Sequence, residues 1–232
     1  MRIGIIGSST VAQTLGGKLL ELGHEVMVSA RDPQAAKDLG QRGAVPSAVD
    51  WAAAHEAQGH RAAGGGFADA AAFGELIINA TAGASSLDAL GAAARADIEG
   101  KILVDVSNPL DFSRGFPPGL AFSNYDSLGE RIQAAYPGAK VVKTLNTVNC
   151  AVMIDPAQLG EDTHVFVAGD DAAAKSWVSD NLLRAWFGWR QVIDLGDITA
   201  SRGVEMYLPL WLRFMGATGT ALFNVRLVVA SK

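Results

Sequence analysis

The chain opens on a short apolar run, Ile3 to Ile6, broken only by Gly4. A run of this length bounded by glycine reads as a buried strand, and helix-spaced apolar positions follow at once: Val11, Leu15, Leu19 and Leu22 share one face of residues 11–22. Gly23 is a plausible helix C-cap, and residues 25–29 return to the strand pattern. The alternation continues along the chain. Helices are expected at 33–42, with Pro33 in the first turn, and at 47–58 and 69–73, while the Ala/Gly-rich stretch 59–66 leaves a short strand or a loop open. Strands at 75–80, 101–106, 140–145, 165–168 and 191–195 alternate with helices at 87–96, 127–136 and 171–187. A long irregular connection starts at Asn108-Pro109 and runs through Gly119. This order predicts an α/β fold: a Rossmann-type, doubly wound, mostly parallel sheet with helices on both faces.

The tail departs from the pattern. Residues 207–215 are strongly apolar, yet Glu205, Arg213 and Arg226 interrupt the segment and Pro209 breaks it, so no membrane span is expected. The division that follows is a Rossmann domain over 1–196 and a C-terminal helical segment over 197–232, packed on the sheet or at a dimer interface.

Composition narrows the function classes. With 49% hydrophobic residues the chain can bury a large core, and a net charge of −5 without any cluster of Lys and Arg argues against a nucleic-acid partner. The single cysteine, Cys150, excludes an internal disulfide and fits a cytoplasmic location; a strand that starts at Arg2 leads to the expectation that no leader precedes it. Without a placed histidine partner, Cys150 reads as a small buried hydrophobe. His24, His55, His60 and His164 lack the spacing of a ligand set, so no metal is expected.

The candidate chemistry starts at the first turn. Gly7-Ser8-Ser9-Thr10-Val11-Ala12 matches the dinucleotide fingerprint at Gly7 and Ala12, with Ser9 where the second glycine belongs. That serine either adds a hydroxyl contact or pushes the phosphates outward. The next strand ends at Ser29-Ala30-Arg31, with Arg31 where an NAD site places an acid for the ribose hydroxyl; an arginine there pairs with a 2′-phosphate and points to NADP(H). The other strand ends, Thr81-Ala82-Gly83, Ser107-Asn108-Pro109 and Asn146-Thr147-Val148-Asn149, are small and polar and offer no acid or base. A site of this kind suits hydride transfer to a second redox cofactor, which needs two rings held together and water excluded. Asp105, within an apolar strand, reads as a bonded structural carboxylate.

Three segments, MRIGIIGSSTVAQTLGGKLLELGHEVMVSARDP, KVVKTLNTVNCAVMIDP and DLGDITASRGVEMYLPLWLRFMGATGT, resemble the NADPH-dependent coenzyme F420 reductase family, also called F420-dependent NADP oxidoreductases. The resemblance covers nearly the whole chain. It implies reversible hydride transfer between NADP(H) and the deazaflavin of coenzyme F420, in a homodimer. It implies that Gly7, Ser8, Ser9, Thr10, Val11 and Ala12 hold the pyrophosphate, that Arg31, with Ser29, meets the 2′-phosphate, and that Thr81, Ala82 and Asn108 lie on the nicotinamide side. Pro109, Asn146 and Thr147 match the loops near the acceptor. The stretch 47–66 is longer than in minimal family members, and membrane ferric reductases carry a similar domain that passes hydride to a flavin, so both coenzyme F420 and a flavin stand as acceptors. The alternative from another class is a sensor that binds NADPH without turnover.

Overall fold

The computed structural model describes residues 1–38 and 44–230. In chain order the strands are β1 (Arg2–Ile6), β2 (Glu25–Ser29), β3 (Lys37–Asp38), β4 (Ala44–Val45), β5 (Ala62–Gly65), β6 (Leu76–Asn79), β7 (Ile102–Asp105), β8 (Leu110–Asp111), β9 (Gly119–Leu120), β10 (Lys140–Thr144), β11 (His164–Ala168) and β12 (Gln191–Asp194). The α-helices are α1 (Thr10–Glu21), α2 (Ala48–Glu56), α3 (Phe67–Phe73), α4 (Ser86–Gly91), α5 (Leu128–Ala135), α6 (Cys150–Ile154), α7 (Ala172–Trp177), α8 (Ser201–Met206) and α9 (Leu208–Thr218).

Eight strands form one sheet in the order β12-β11-β10-β7-β6-β1-β2-β5. All neighbours pair in parallel except β10 with β11, where Lys143 faces Ala168. Alternate strand residues feed opposite faces: Ile5, Ile78, Val104 and Val142 join one core with α1, α2 and α6, and Ile6, Ile77, Leu103 and Val141 join the other with α3, α4 and α5. The fold is therefore the expected α/β, Rossmann-type doubly wound sheet. After β1 the chain builds β2 and β5 on one side, then crosses to β6, β7 and β10 on the other, which puts the reversal of strand order between β1 and β6. In open sheets of this kind a ligand crevice forms at that reversal, outside the carboxyl ends of the strands.

Several expected elements change. The helix at 33–42 is absent from its described part: a turn follows Arg31, and β3 then pairs antiparallel with β4, while residues 39–42 lie outside the described residues. Residues 34–38 are all exposed, so a helix there would have no apolar stripe to bury. The helix at 87–96 is shorter, ending at Gly91, a weak helix former, before a single 3₁₀ turn at Arg95–Asp97. The helix at 171–187 changes pitch. After α7, residues Val178–Trp186 widen into π-helical turns that bury the adjacent pair Leu182 and Leu183. α6, a short helix after Asn149, was not foreseen; the Asn149 side chain caps it by accepting from Ala151 N. The helical tail divides into α8 and α9 at Tyr207, and Pro209 sits in the first turn of α9, where a proline lacks no needed N–H.

α8 lies against α5 and buries Ser201, Val204 and Glu205, while α9 buries only Leu208. Among the described residues no helix is long and apolar enough to cross a membrane.

Ser47 illustrates local control. Fully buried, it caps α2 by accepting from Asp50 N at 3.0 Å and donates to Asp50 Oδ2 at 2.7 Å. Ser47→Ala is expected to cost about 1 kcal/mol. Thermal denaturation should then show a midpoint lower by roughly 2–4 °C.

Candidate dinucleotide site

Gly7 makes the turn out of β1. Its φ of +131° suits glycine alone, and a Cβ there would lie 2.6 Å from Ala80 O, so β1 and β6 can approach only because the side chain is missing. Gly83 does the same for the next loop, where a Cβ would meet Asn108 O at 2.1 Å. The first turn of α1 has no acidic residue, and its N-cap, Ser9, makes no side-chain cap bond, since its hydroxyl turns to Ala80 O at 3.4 Å. The helix thus starts with orphan N–H groups and an unopposed positive dipole end. Next to it Ser8 is 2% exposed, and its Oγ has no hydrogen-bond partner.

These groups edge a cleft of about 360 Å³ at the β1/β6 reversal. Its wall includes Gly7, Ser8 and Ser9 from the turn, Arg31, Asp32 and Lys37 after β2, Phe67 at the start of α3, and Thr81 and Ala82 after β6. Among the described residues the side chains of Arg31 and Lys37 make no ion pair or hydrogen bond with the protein. Lys37 counts as exposed for the residue as a whole, yet partial desolvation of its ammonium lowers its pKa from the usual lysine value. Asp32 accepts from Gln34 N at 3.1 Å.

A larger concavity, about 470 Å³, lies at the far sheet edge between Pro156 and Arg226. Both arginines of its lining face an acid, Arg190 with Asp162 and Arg226 with Glu161.

The remaining expected site residues lie off the cleft wall. Thr10 is exposed and faces a neighbouring hollow with Gln13 and Trp51, Val11 is half-buried against the core, and Ala12 is fully buried. Ser29 is fully buried and donates to Ile5 O at 2.7 Å, so its hydroxyl is committed. Asn108 and Asn146 are tied to each other: Asn108 Nδ2 donates to Asn146 O at 2.8 Å and Asn146 Nδ2 to Asn108 Oδ1 at 2.9 Å. Asn146 also donates to Val204 O at 3.1 Å, joining this loop to α8. Pro109 and Thr147 are buried beside them. The pattern of small polar residues at strand ends did not distinguish those lining the cleft from those spent on holding the loops. Lys37 and Phe67 were missed, the first inside a segment read as a helix, the second in a run with no motif.

Below Thr81 lies a buried polar network. Thr81 Oγ1 donates to Asn79 Oδ1 at 2.9 Å, and Asn79 Nδ2 donates to Asp105 Oδ1 at 2.9 Å. Asp105 Oδ2 pairs with Lys143 Nζ at 2.8 Å, and Lys143 pairs in turn with Glu205 Oε1 at 2.9 Å. The structural reading of Asp105 agrees with these bonds. Burial works against the Lys143 ammonium, but Asp105 and Glu205 outweigh it and hold its pKa above the usual lysine value. Arg202 pairs with Glu130. No group of three His, Cys, Asp or Glu among the described residues is placed to hold a metal ion.

A doubly wound sheet with a glycine turn at the strand reversal, and with Arg31 and Lys37 beyond the second strand, has the frame of a Rossmann-type dinucleotide-binding protein. Residues 2–109 match the family described as NADP oxidoreductase coenzyme F420-dependent. A crystal structure from Arthrobacter sp. FB24, provisionally assigned as an F420-dependent NADP reductase, is 49% identical, with a TM-score of 0.89 over 99% of this chain and 100% of that one. The chain belongs to the coenzyme F420-dependent NADP oxidoreductase family. Metalloreductase STEAP3 of Rattus norvegicus is 28% identical over 90% of this chain, which spans only 38% of that relative's length. A reductive aminase from Aspergillus terreus, solved with NADPH and ethyl levulinate, shares the fold at 15% identity and a TM-score of 0.61, over 94% of this chain and 62% of that one.

Proposed function

We propose that this protein takes a hydride from NADPH and gives it to a planar redox cofactor, the deazaflavin of coenzyme F420 or a flavin. The observation that carries the NADPH half is the pair of cations, Arg31 and Lys37, whose side chains have no partner among the described residues, on the same cleft wall as the orphan Ser8 hydroxyl. When bound, NADPH supplies the hydride from its reduced nicotinamide. The turn at Gly7, Ser8 and Ser9 and the first turn of α1, with Thr10, Val11 and Ala12, hold the pyrophosphate through N–H groups that nothing else caps. Arg31 and Lys37 hold the 2′-phosphate. Phe67 offers an apolar face to the adenine, while Thr81 and Ala82, backed by the Asn108 loop, hold the nicotinamide end. Ser29 acts by keeping β2 on β1.

The acceptor half is supported by family membership and by the absence of an acid or base side chain among the cleft residues named, apart from Asp32 and Lys37 at the phosphate end. Pro109, Asn146 and Thr147 act behind the acceptor surface by fixing its loop to α8. Leu210 and Phe214 remain exposed on α9, 50% and 38%, which supports a homodimer seated on that helix.

Anaerobic mixing of the protein with NADPH and, in turn, coenzyme F420, FMN and FAD tests the reading. Oxidation of NADPH with at least one of them is expected. Tight NADPH binding with no oxidation by any of the three would return the protein to the sensor class.

A further inference from the structure

We infer that the buried cluster of Lys143, Asp105 and Glu205 carries one net negative charge behind the nicotinamide end of the cleft and so favours bound NADP⁺ over bound NADPH. This rests on the reading that NADP(H) occupies that cleft.

The charge count follows from the hydrogen bonds. Asp105 accepts from Lys143 Nζ, from Asn79 Nδ2, and from the Ser107 N and Oγ at 3.2 and 2.5 Å. Glu205 accepts from Lys143 and from Leu128 N and Gly129 N at 2.9 and 3.2 Å. Of these neighbours only the Ser107 hydroxyl has a lone pair to take a carboxylic proton, whereas every oxygen of both acids accepts from an ammonium or amide N–H, so the geometry favours both as carboxylates. Lys143 spends its remaining donor on Ser107 O at 2.6 Å. Two carboxylates and one ammonium leave one negative charge, in a place where all three residues are at most 2% exposed.

The charges around the cluster do not offset it. Arg131, which feels Glu205, is paired with Asp126, and Arg202 is paired with Glu130. The connection to the cleft is short: Asp105 to Asn79 to Thr81 is two hydrogen bonds, and Thr81 lines the wall.

A nicotinamide ring is cationic when oxidised and neutral when reduced, so a fixed anion behind it stabilises one form selectively. A bound couple in which the oxidised form is held more tightly is the stronger reductant. The cluster therefore suits a protein that runs from NADPH toward its acceptor, and it assigns Glu205, on the tail, a part in setting that direction without touching the nucleotide.

The test is the ratio of dissociation constants, Kd(NADP⁺)/Kd(NADPH), measured by calorimetry on the wild type and on Glu205→Gln. Removing a unit charge from behind the ring should raise the ratio in the variant, by about tenfold at an effective dielectric of about 20. Structural loosening alone would weaken both nucleotides together and leave the ratio fixed, which would overturn the inference. The wild type gives a second reading that needs no variant to fold. NADP⁺ is expected to bind as tightly as NADPH or more so, and a preference for NADPH beyond about tenfold would overturn the inference. Failure of the wild type to bind either nucleotide would instead overturn the assignment of the cleft.

Discussion

Arg31→Ala is expected to raise the dissociation constant for NADPH about tenfold or more while leaving NADH within about twofold, because it removes one charge-assisted contact to a group that only NADPH carries. Arg31 is exposed and has no partner among the described residues, so its loss leaves no buried group unsatisfied and should not weaken the fold. Lys37→Ala should act in the same direction. The two cations stand on either end of a short irregular stretch, and with both removed the loss should exceed that of either single variant yet fall short of the product of the two, because they share one phosphate. Ionic strength offers an internal check: exposed pairs are screened by salt, so the wild-type preference for NADPH over NADH should shrink as salt rises, and the double variant should show little salt dependence. Calorimetric titration of both nucleotides at two salt concentrations measures all of this. An equal loss for NADPH and NADH would place Arg31 away from the 2′-phosphate.

Lys143→Met is expected to give the largest loss of stability, about 3–5 kcal/mol, because it leaves two carboxylates buried together with no cation between them. For a chain of this size that corresponds to a fall in the melting midpoint of roughly 6–20 °C. Lys143 is fully buried and joins three elements that are far apart in sequence: β10 carries it, β7 carries Asp105, and α8 carries Glu205. Its pH dependence has a definite sign. The folded-state pKa is raised above the unfolded value, so the stabilisation from Lys143 is complete below the usual lysine value of 10.5 and is lost as pH climbs through the higher folded value. The wild type should therefore lose stability at strongly alkaline pH through this group, and the Met variant should lack that limb. A measured cost below about 1 kcal/mol would mean that the cluster takes up water once the lysine is gone.

What could be read from the chain depended on whether the relevant physics was local. The strand at Ile3–Ile6, the glycine turn and α1 follow from apolar spacing and from one residue type that tolerates a positive φ, so Gly7 and Arg31 were legible as residues at the ends of the first two strands, and both line the cleft. The long-range choices were not. Asn146 and Thr147 sit at a strand end like Thr81, but whether such a residue faces a cleft or ties down a loop depends on what packs above it, and α8 arrives there from sixty residues away. Lys37 was hidden because a run of mildly helix-forming residues reads as a helix until the fold leaves it nothing to pack against.

By itself the sequence determined the alternating α/β layout, the position of the glycine turn after the first strand and the arginine that follows the second, because these rest on periodicity and on conformational limits that operate within a few residues. Only the tertiary structure decided which polar strand ends line the cleft and which are consumed in holding it. It alone brought Glu205 down onto Lys143, because the pairing of buried charges is settled by which distant segments exclude water from the same place.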